Sequence, residues 1–147
     1  MKNKQDSTKV MVLCKEFQFD AAHSLPSYKG KCKNLHGHTY KIRVCVKGYV
    51  NKEGFVIDFS ELKDIVTKKV LDILDHTYLN DIIKQPTAEN TAIWIWVQLK
   101  DFLPLHEIWV WETPTSFVIF RGEKWRSMKY SWVSREKDWI WDYLLFL

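Results

Sequence analysis

The sequence predicts an α+β domain in which an antiparallel sheet carries two helices on one face. Two observations lead to this prediction. Segments in which apolar and polar residues alternate lie at the start and at the end of the central part of the chain. Between them lie two segments whose apolar residues follow helical spacing. The order is therefore strand, strand, helix, helix, strand, strand (ββααββ), and such helices bury their apolar faces on the sheet.

The first two strands are predicted at residues 10–22 and 36–48. Side chains alternate between the two faces of a strand, so each of these strands presents one apolar and one polar face. His23 has the parity of the apolar residues in the first strand, and His36 and His38 continue the apolar face of the second. The two strands must be antiparallel for the three imidazoles to converge.

The two helices are predicted from the residues that begin and end them. Ser60 is the expected N-cap of the first helix, which ends near Leu74. Thr87 is the expected N-cap of the second helix, which Pro104 stops. Residues 77–86 are interpreted as a connection. The last two strands are predicted at residues 107–113 and 117–121, as a hairpin across Pro114, Thr115 and Ser116.

Length and composition indicate one globular domain. The chain has 147 residues, of which 46% are hydrophobic, so it is long enough to bury a sizeable core. We expect residues 1–9 to be a disordered lead-in, residues 10–122 to form the domain, and residues 123–147 to be an extension of unknown role. Eight tryptophans favour large aromatic contact areas, such as those between subunits.

Charge and cysteine content limit the choice of partner and compartment. The formal net charge of +4 is mild and the lysines are scattered, so no nucleic-acid partner is expected. A small polyanion such as a phosphate ester suits this charge. The three cysteines show no paired framework, which favours a reducing compartment, and Cys14 and Cys45 are expected to be structural. No segment resembles a signal peptide or a membrane span, so a cytoplasmic protein without a membrane partner is expected.

Three histidines on apolar strand faces indicate a metal site. His36 and His38 form a His-x-His pair, and His23 precedes the loop that leads back to them. A buried imidazole is costly unless it has a partner, and one metal ion supplies a partner to all three. Three histidines with an open fourth position are typical of catalytic zinc, which suits imidazole better than calcium or magnesium does. Two alternatives stay open: separate hydrogen bonds to each histidine, or a closed structural site with Cys32 as the fourth ligand.

Three further positions are candidates for acid–base chemistry or ligand binding. Cys32 lies four residues before His36, where a thiol close to a cation can act as a base or nucleophile. Its alternatives are an ordinary loop cysteine or a metal ligand. Asp75 lies beside His76 at the end of the first helix, and a carboxylate there can orient the imidazole for proton transfer. Glu112 shares the apolar face of its strand, so it needs a bidentate donor from arginine, lysine or a ligand such as a pterin.

Taken together, these residues resemble the 6-pyruvoyltetrahydropterin synthase family over about residues 10–122. The matching segments, in the family's order, are Phe19–His23, Cys32–His38, Gly54–Phe59, Leu74–His76, Leu79–Asn80, Pro86–Asn90 and Trp111–Thr113. The resemblance implies a tunnelling fold (T-fold), with a four-stranded antiparallel sheet and two helices on one side. In this family trimers close a twelve-stranded barrel by oligomerisation, and two trimers usually stack into a homohexamer.

The resemblance also implies the site and the activity. It implies Zn2+ as cofactor on His23, His36 and His38, catalytic Cys32, Asp75 and His76, and Glu112 as the pterin anchor, in active sites between subunits. The spacing between Cys32 and His36 is most like the 6-carboxy-5,6,7,8-tetrahydropterin synthase branch, which serves queuosine biosynthesis. We expect a zinc-dependent lyase that converts 7,8-dihydroneopterin triphosphate into 6-carboxytetrahydropterin, acetaldehyde and triphosphate. The alternatives are the pyruvoyl-forming reaction, which retains the side chain, and a non-catalytic, zinc-stabilised binding protein.

Overall fold

Five strands form one sheet in the computed structural model, which describes residues 9–122. The strands are β1 (Val10–His23), β2 (His36–Tyr49), β3 (Thr77–Tyr78), β4 (Leu105–Thr113) and β5 (Ser116–Phe120). Their order across the sheet is β3-β1-β2-β4-β5, and every neighbouring pair is antiparallel except β1 and β3. The predicted extension at 123–147, and all but the last residue of the predicted lead-in, lie outside the described residues.

Helices cover one face of this sheet. The first of them, α1 (Phe59–Val66), continues through a π-helical turn (Thr67–Leu71) into α2 (Asp72–Leu74), and α3 (Ala88–Leu99) follows later. The continuous segment ends at Leu74, as predicted. Within residues 9–122 no helix combines the length and the apolar character needed to cross a bilayer.

Side chains cap both helical segments. Thr87 caps α3 as predicted, and its hydroxyl oxygen accepts the Asn90 N–H at 3.2 Å. The prediction that Ser60 caps α1 is wrong, because Asp58 is the cap and its carboxylate accepts the Ser60 N–H at 2.6 Å. Aspartate and serine are about equally good caps, so residue type alone does not separate two candidates that lie two positions apart.

A continuous apolar core fills the space between the helices and the sheet. Tyr40, Ile42 and Val44 of β2 are fully buried, as the alternation of that strand predicts. Leu62 and Val66 of α1 are fully buried in the same cluster. The predicted α+β class, with an antiparallel sheet and two helical segments on one face, is confirmed.

The fifth strand was not predicted. β3 lies in the segment interpreted as a connection, where Thr77 and Tyr78 pair in parallel with Ala21 and Ala22 of β1. Two residues carry too little periodicity to identify a strand, and a parallel partner is never local in sequence. This pairing matters for the site because it fixes the backbone that directly follows His76 beside the end of β1.

Cys14 and Cys45 face each other across β1 and β2. Their Cα atoms are 4.1 Å apart and their sulfurs form a disulfide. The expectation that the three cysteines contain no pair is therefore wrong. Both residues have the parity opposite to that of the histidines, so the bond joins the two strands on the face away from the helices. Cys32 is the free cysteine.

Aromatic and cationic side chains cover that same face of the sheet. Trp109, Trp111 and Phe117 stack with ring centroids 5.2 to 5.5 Å apart. Lys41 lies 4.5 Å from the centroid of the Trp111 ring, and Arg43 lies 4.9 Å from that of Trp109. Aromatic residues that stay partly exposed in such a group are typical of contact surfaces.

Gly122 packs directly against Trp96. Its φ is +70°, and a Cβ placed there would lie 2.2 Å from a carbon of the Trp96 ring. Replacing Gly122 with alanine is therefore expected to lower the free energy of unfolding by about 2–4 kcal/mol, because steric overlap adds to backbone strain. Gly54→Ala is the matched control: Gly54 has a φ of +96° and no atom within 4 Å, so we expect about 1 kcal/mol. Equal losses in urea unfolding would contradict the packing argument.

Candidate metal centre and active site

Three histidine side chains converge at one end of the sheet. His23 ends β1 and His36 begins β2, and the antiparallel register places them opposite each other. His38 follows two residues later on the same face. The Nε2 atoms of His23 and His36 are 3.0 Å apart, and one nitrogen from each of the three rings lies within 4.8 Å of the others. The structure thus brings together the three histidines that the sequence singled out.

Backbone carbonyl groups fix the orientation of two of these rings. His23 Nδ1 lies 2.8 Å from the carbonyl oxygen of Pro86, and His36 Nδ1 lies 2.7 Å from that of Asn34. A carbonyl oxygen only accepts hydrogen bonds, so both Nδ1 atoms carry a proton and donate it. Both Nε2 atoms therefore present lone pairs to each other. Histidine ligands of metals are commonly held in this way through the other ring nitrogen.

This arrangement suits a cation between the rings. Two lone pairs 3.0 Å apart repel each other unless a proton or a metal ion lies between them. His38 Nε2 is buried and has no hydrogen-bond partner among the described residues. Burial lowers the pKa of His38 despite the opposing charge of Glu112, which favours the neutral form that ligates metals. Three imidazole nitrogens fit a transition-metal ion such as zinc.

Glu112 brings a carboxylate to the edge of the cluster. It lies on β4, and one of its carboxylate oxygens is 3.4 Å from His23 Nε2 and 4.0 Å from His38 Nε2. Its side chain is 27% exposed, so the carboxylate is partly shielded but still open to a ligand. Burial, together with the charge of Glu112, raises the pKa of Tyr40, whose hydroxyl lies 3.2 Å from His23 Nδ1.

Cys32 lies in the loop that joins the two histidine-bearing strands. Its side chain is half-buried and sits in a short 3-10 turn (Lys31–Lys33). The Cys32 carbonyl accepts the Leu25 N–H at 2.9 Å, which closes the loop. The Asn80 side chain holds the first loop residue, because it accepts the Ser24 N–H at 3.0 Å and donates to the Ser24 carbonyl at 2.9 Å. Within residues 9–122 the group of converging ligand atoms consists of histidine nitrogens without the Cys32 sulfur.

The side chains of Asp75 and His76 contact each other at the end of α2. Asp75 Oδ1 lies 3.0 Å from His76 Nδ1, and the His76 side chain is 77% exposed. Two hydrogen bonds hold the pair to the backbone of β1. The Asp20 N–H donates to Asp75 Oδ1 at 2.9 Å, and the His76 N–H donates to the Asp20 carbonyl at 2.6 Å. His76 has a φ of +58°, which a non-glycine residue adopts where its surroundings enforce it.

One shallow groove is lined both by His76 of this pair and by His38 of the cluster. Thr77 and His38 are the backbone neighbours of Ala21 on its two sides. They are therefore two strand spacings apart, or about 10 Å. The groove is lined by Asp20–Ala22, Gly37–Thr39 and His76–Tyr78. The groove therefore adjoins His76 and the strand segment that carries His38, whereas His23 and the His38 Nε2 atom are buried.

The Asp75–His76 pair should make stability depend on pH. The Asp20 N–H holds the pKa of Asp75 below its usual range, and His76 adds to this effect. A carboxyl with a lowered folded pKa stabilises the fold above its unfolded pKa, and this stabilisation is lost as the pH falls through the folded pKa. We therefore expect Asp75→Asn to be less stable than the wild type at pH 7, and the difference to shrink below about pH 4. Thermal unfolding from pH 7 to pH 3 checks this, with the exposed Asp72→Asn as control. A difference that stays constant over this range would contradict the assignment.

The sequence is similar to those of known proteins over most of its length. The family model described as 6-pyruvoyl tetrahydropterin synthase matches residues 12–123. The chain belongs to the 6-pyruvoyl tetrahydropterin synthase family. This confirms the resemblance that the sequence motifs predicted.

Individual members of the family agree in sequence and in fold. The 6-carboxy-5,6,7,8-tetrahydropterin synthase of Haemophilus influenzae is 41% identical over 133 residues, with 71% of this chain and 94% of the relative covered. The protein of that name from Synechocystis is 44% identical over 114 residues, with 71% and 88% covered. The structure of Caenorhabditis elegans 6-pyruvoyl tetrahydropterin synthase matches with a TM-score of 0.72 at 30% identity, covering 78% of this chain and 97% of that chain. The likeness to the carboxy-named branch agrees with the prediction from the cysteine–histidine spacing.

In this family member, several residues that position the site carry no sequence pattern that indicates their role. Asp20 binds Asp75 and His76 through its backbone N–H and carbonyl groups. Its residue type does not indicate this role. Pro86 orients His23 through its carbonyl, and the preceding Gln85 carbonyl is held by the Asn90 side chain at 2.9 Å. The side chain of Asn80 could have been suspected, because the Leu79–Asn80 segment was one of the matching motifs.

Proposed function

We propose that this protein converts 7,8-dihydroneopterin triphosphate into 6-carboxy-5,6,7,8-tetrahydropterin, acetaldehyde and triphosphate. The observation that carries the proposal is the convergence of three imidazole nitrogens beside Glu112. Relatives at 41% and 44% identity bear the name of this activity. The reaction consumes one water and needs no external reductant, because the electrons that reduce the pterin ring come from the cleaved side chain.

His23, His36 and His38 are the residues that would hold zinc. When bound, zinc supplies Lewis-acid chemistry that makes substrate hydroxyl groups easier to deprotonate. The chain contributes the fixed orientation of His23 and His36, whose Nδ1 protons are held by carbonyl oxygens. His38 contributes a buried nitrogen that has no partner among the described residues. His106, which lies on β4, is not part of the cluster.

Glu112 anchors the pterin ring in this proposal. The 2-amino group and the adjacent ring N–H of a pterin form a pair of parallel donors, which a carboxylate accepts in bidentate fashion. The partly shielded position of the Glu112 carboxylate supports this role, because a charge-assisted hydrogen bond strengthens where water is excluded. The side chain of the bound pterin then extends towards the histidines.

Two proton-transfer groups act on the substrate side chain. Cys32, as thiolate, moves a proton at a side-chain carbon. The Asp75 carboxylate accepts the Nδ1 proton of His76, which leaves His76 Nε2 to take or give a proton at a side-chain hydroxyl. The 77% exposure of His76 supports a site that a neighbouring subunit completes.

We also propose that three subunits close a barrel and that two trimers form a hexamer. In the described part of the chain, β1 pairs with an outer strand at Ala21 and Ala22 alone, and Asp75 and His76 bind the backbone of Asp20, so its edge is open from Val10 to Phe19. The opposite edge of the sheet is β5. Pairing these two edges between subunits would satisfy the backbone groups of both. Native mass spectrometry should show six chains, and a monomer would contradict this proposal.

The activity is tested by incubating the zinc-loaded protein with 7,8-dihydroneopterin triphosphate and identifying the products by mass. We expect acetaldehyde and 6-carboxytetrahydropterin in equal amounts. A pyruvoyl product that retains all side-chain carbons would contradict the proposed reaction and favour the pyruvoyl-forming alternative. An absence of turnover with zinc in place would instead favour the non-catalytic binding protein.

A further inference from the structure

The loop between the two histidine-bearing strands carries a local positive charge. The lysines are scattered over the chain as a whole, yet Lys29, Lys31 and Lys33 fall within five residues of one another. Residues 24–35 contain no acidic residue and no arginine. The loop therefore carries a formal charge of +3, in a chain whose net charge is +4.

None of these three lysines is paired with an acidic side chain of the described residues. All three are exposed, and none of their side chains forms an ion pair or hydrogen bond with another described residue. The next cations along β2 differ: Lys41 and Arg43 bind Glu16 at 3.2 and 2.9 Å, on the face away from the helices. The loop lysines are thus available to an external anion.

The loop is bounded by two members of the histidine cluster. It begins directly after His23 and ends directly before His36, so both of its ends are anchored at the site. Its last turn contacts the cluster, because the Asn34 carbonyl accepts a hydrogen bond from the His36 ring. The Tyr28 ring lies so close to Gly30, which separates the first two lysines, that a Cβ there would be 2.3 Å from it. This contact, together with the backbone hydrogen bond that closes the loop, restrains the backbone from which the lysine side chains extend.

We infer that Lys29, Lys31 and Lys33 form the subsite for the polyphosphate chain of the substrate. The inference rests on the proposed function, since it takes a pterin triphosphate as the ligand. With the ring at Glu112 and the two side-chain hydroxyls near the histidines, one carbon and one ester oxygen remain before the first phosphorus. The phosphates then reach the loop, where three flexible ammonium groups can contact oxygens of several phosphates.

The binding test uses inorganic tripolyphosphate, which is the leaving group itself. It is titrated calorimetrically into the zinc-loaded protein, with magnesium in excess so that it does not extract the metal. Replacing all three loop lysines with glutamine is expected to raise the Kd at least about tenfold, because three exposed charge pairs are lost. The matched control replaces Lys52, Lys63 and Lys68, which are also exposed, and should change the Kd less than about twofold. Arginine at the three loop positions should preserve binding.

Steady-state kinetics give a second readout. The loop variant should raise the KM for the pterin triphosphate about tenfold and change kcat much less, since a binding interaction is removed. Tripolyphosphate binding that weakens in both triple variants alike, or in neither, overturns the inference. These experiments distinguish a failure of the subsite proposal from a failure of the proposed function. If the wild-type protein has no turnover but only the loop variant binds tripolyphosphate weakly, the subsite is supported and the proposed function is not. If the wild-type protein is active but the loop variant binds tripolyphosphate normally, the proposed function is supported and the subsite is not.

Discussion

Replacing Cys32 with alanine is expected to reduce turnover of 7,8-dihydroneopterin triphosphate by about 10²–10⁴-fold, the usual contribution of a positioned proton-transfer group. The metal content should not change, because the converging nitrogens come from His23, His36 and His38. Fold stability should also be preserved, since the loop is closed by the backbone carbonyl of Cys32 rather than by its side chain. Product formation and zinc content, measured on the same preparation, check both halves of this prediction.

The matched control is Ser27→Ala, which alters an exposed residue of the same loop by one polar atom. It should retain wild-type turnover and zinc. A Cys32→Ala protein with normal turnover would remove the cysteine from the mechanism. A variant that lost its zinc would instead favour the closed structural site, in which the sulfur is a ligand.

Replacing His38 with alanine is expected to abolish stable metal binding, and activity with it. Two imidazoles remain, and a two-ligand site is far weaker than one with three ligands held by a prearranged backbone. The zinc content after dialysis should fall from one ion per chain to nearly none. The wild-type protein should also become less heat-stable when a strong chelator removes its metal, because the facing lone pairs of His23 and His36 are then left without a cation.

His106→Ala is the matched control, since His106 is a partly exposed histidine of β4 outside the cluster. It should keep both zinc and activity. If the His38 variant retained as much zinc as the His106 variant, His38 would not be a ligand of the metal. A melting temperature of the wild type that a chelator does not change would show that hydrogen bonds, rather than a metal, hold the cluster.

The position of the histidine cluster followed from the sequence because side-chain direction in a strand depends only on parity. His23, His36 and His38 share parity with apolar residues that must face the helices, and one antiparallel hairpin brings both strand ends together. The same reasoning placed Glu112 on the inner face of β4. These conclusions needed no knowledge of loop geometry, so they could be drawn without a structure.

The parts that could not be predicted depend on the backbone or on register. The carbonyls of Pro86 and Asn34 set the tautomers of the histidines, and a carbonyl is present in every residue, so no pattern marks the ones that matter. The disulfide between Cys14 and Cys45 depends on strand register, and a slip of one residue would have moved either cysteine to the other face. The strand that fixes His76 is only two residues long.

In the proposed mechanism three imidazoles hold the metal and leave its remaining position for the substrate. Zinc K-edge X-ray absorption of the purified protein, with and without bound pterin, tests this most directly. We expect nitrogen and oxygen neighbours at about 2.0–2.2 Å and no sulfur in either state. A sulfur shell at about 2.3 Å would contradict it, because Cys32 would then close the coordination sphere and be unavailable for proton transfer.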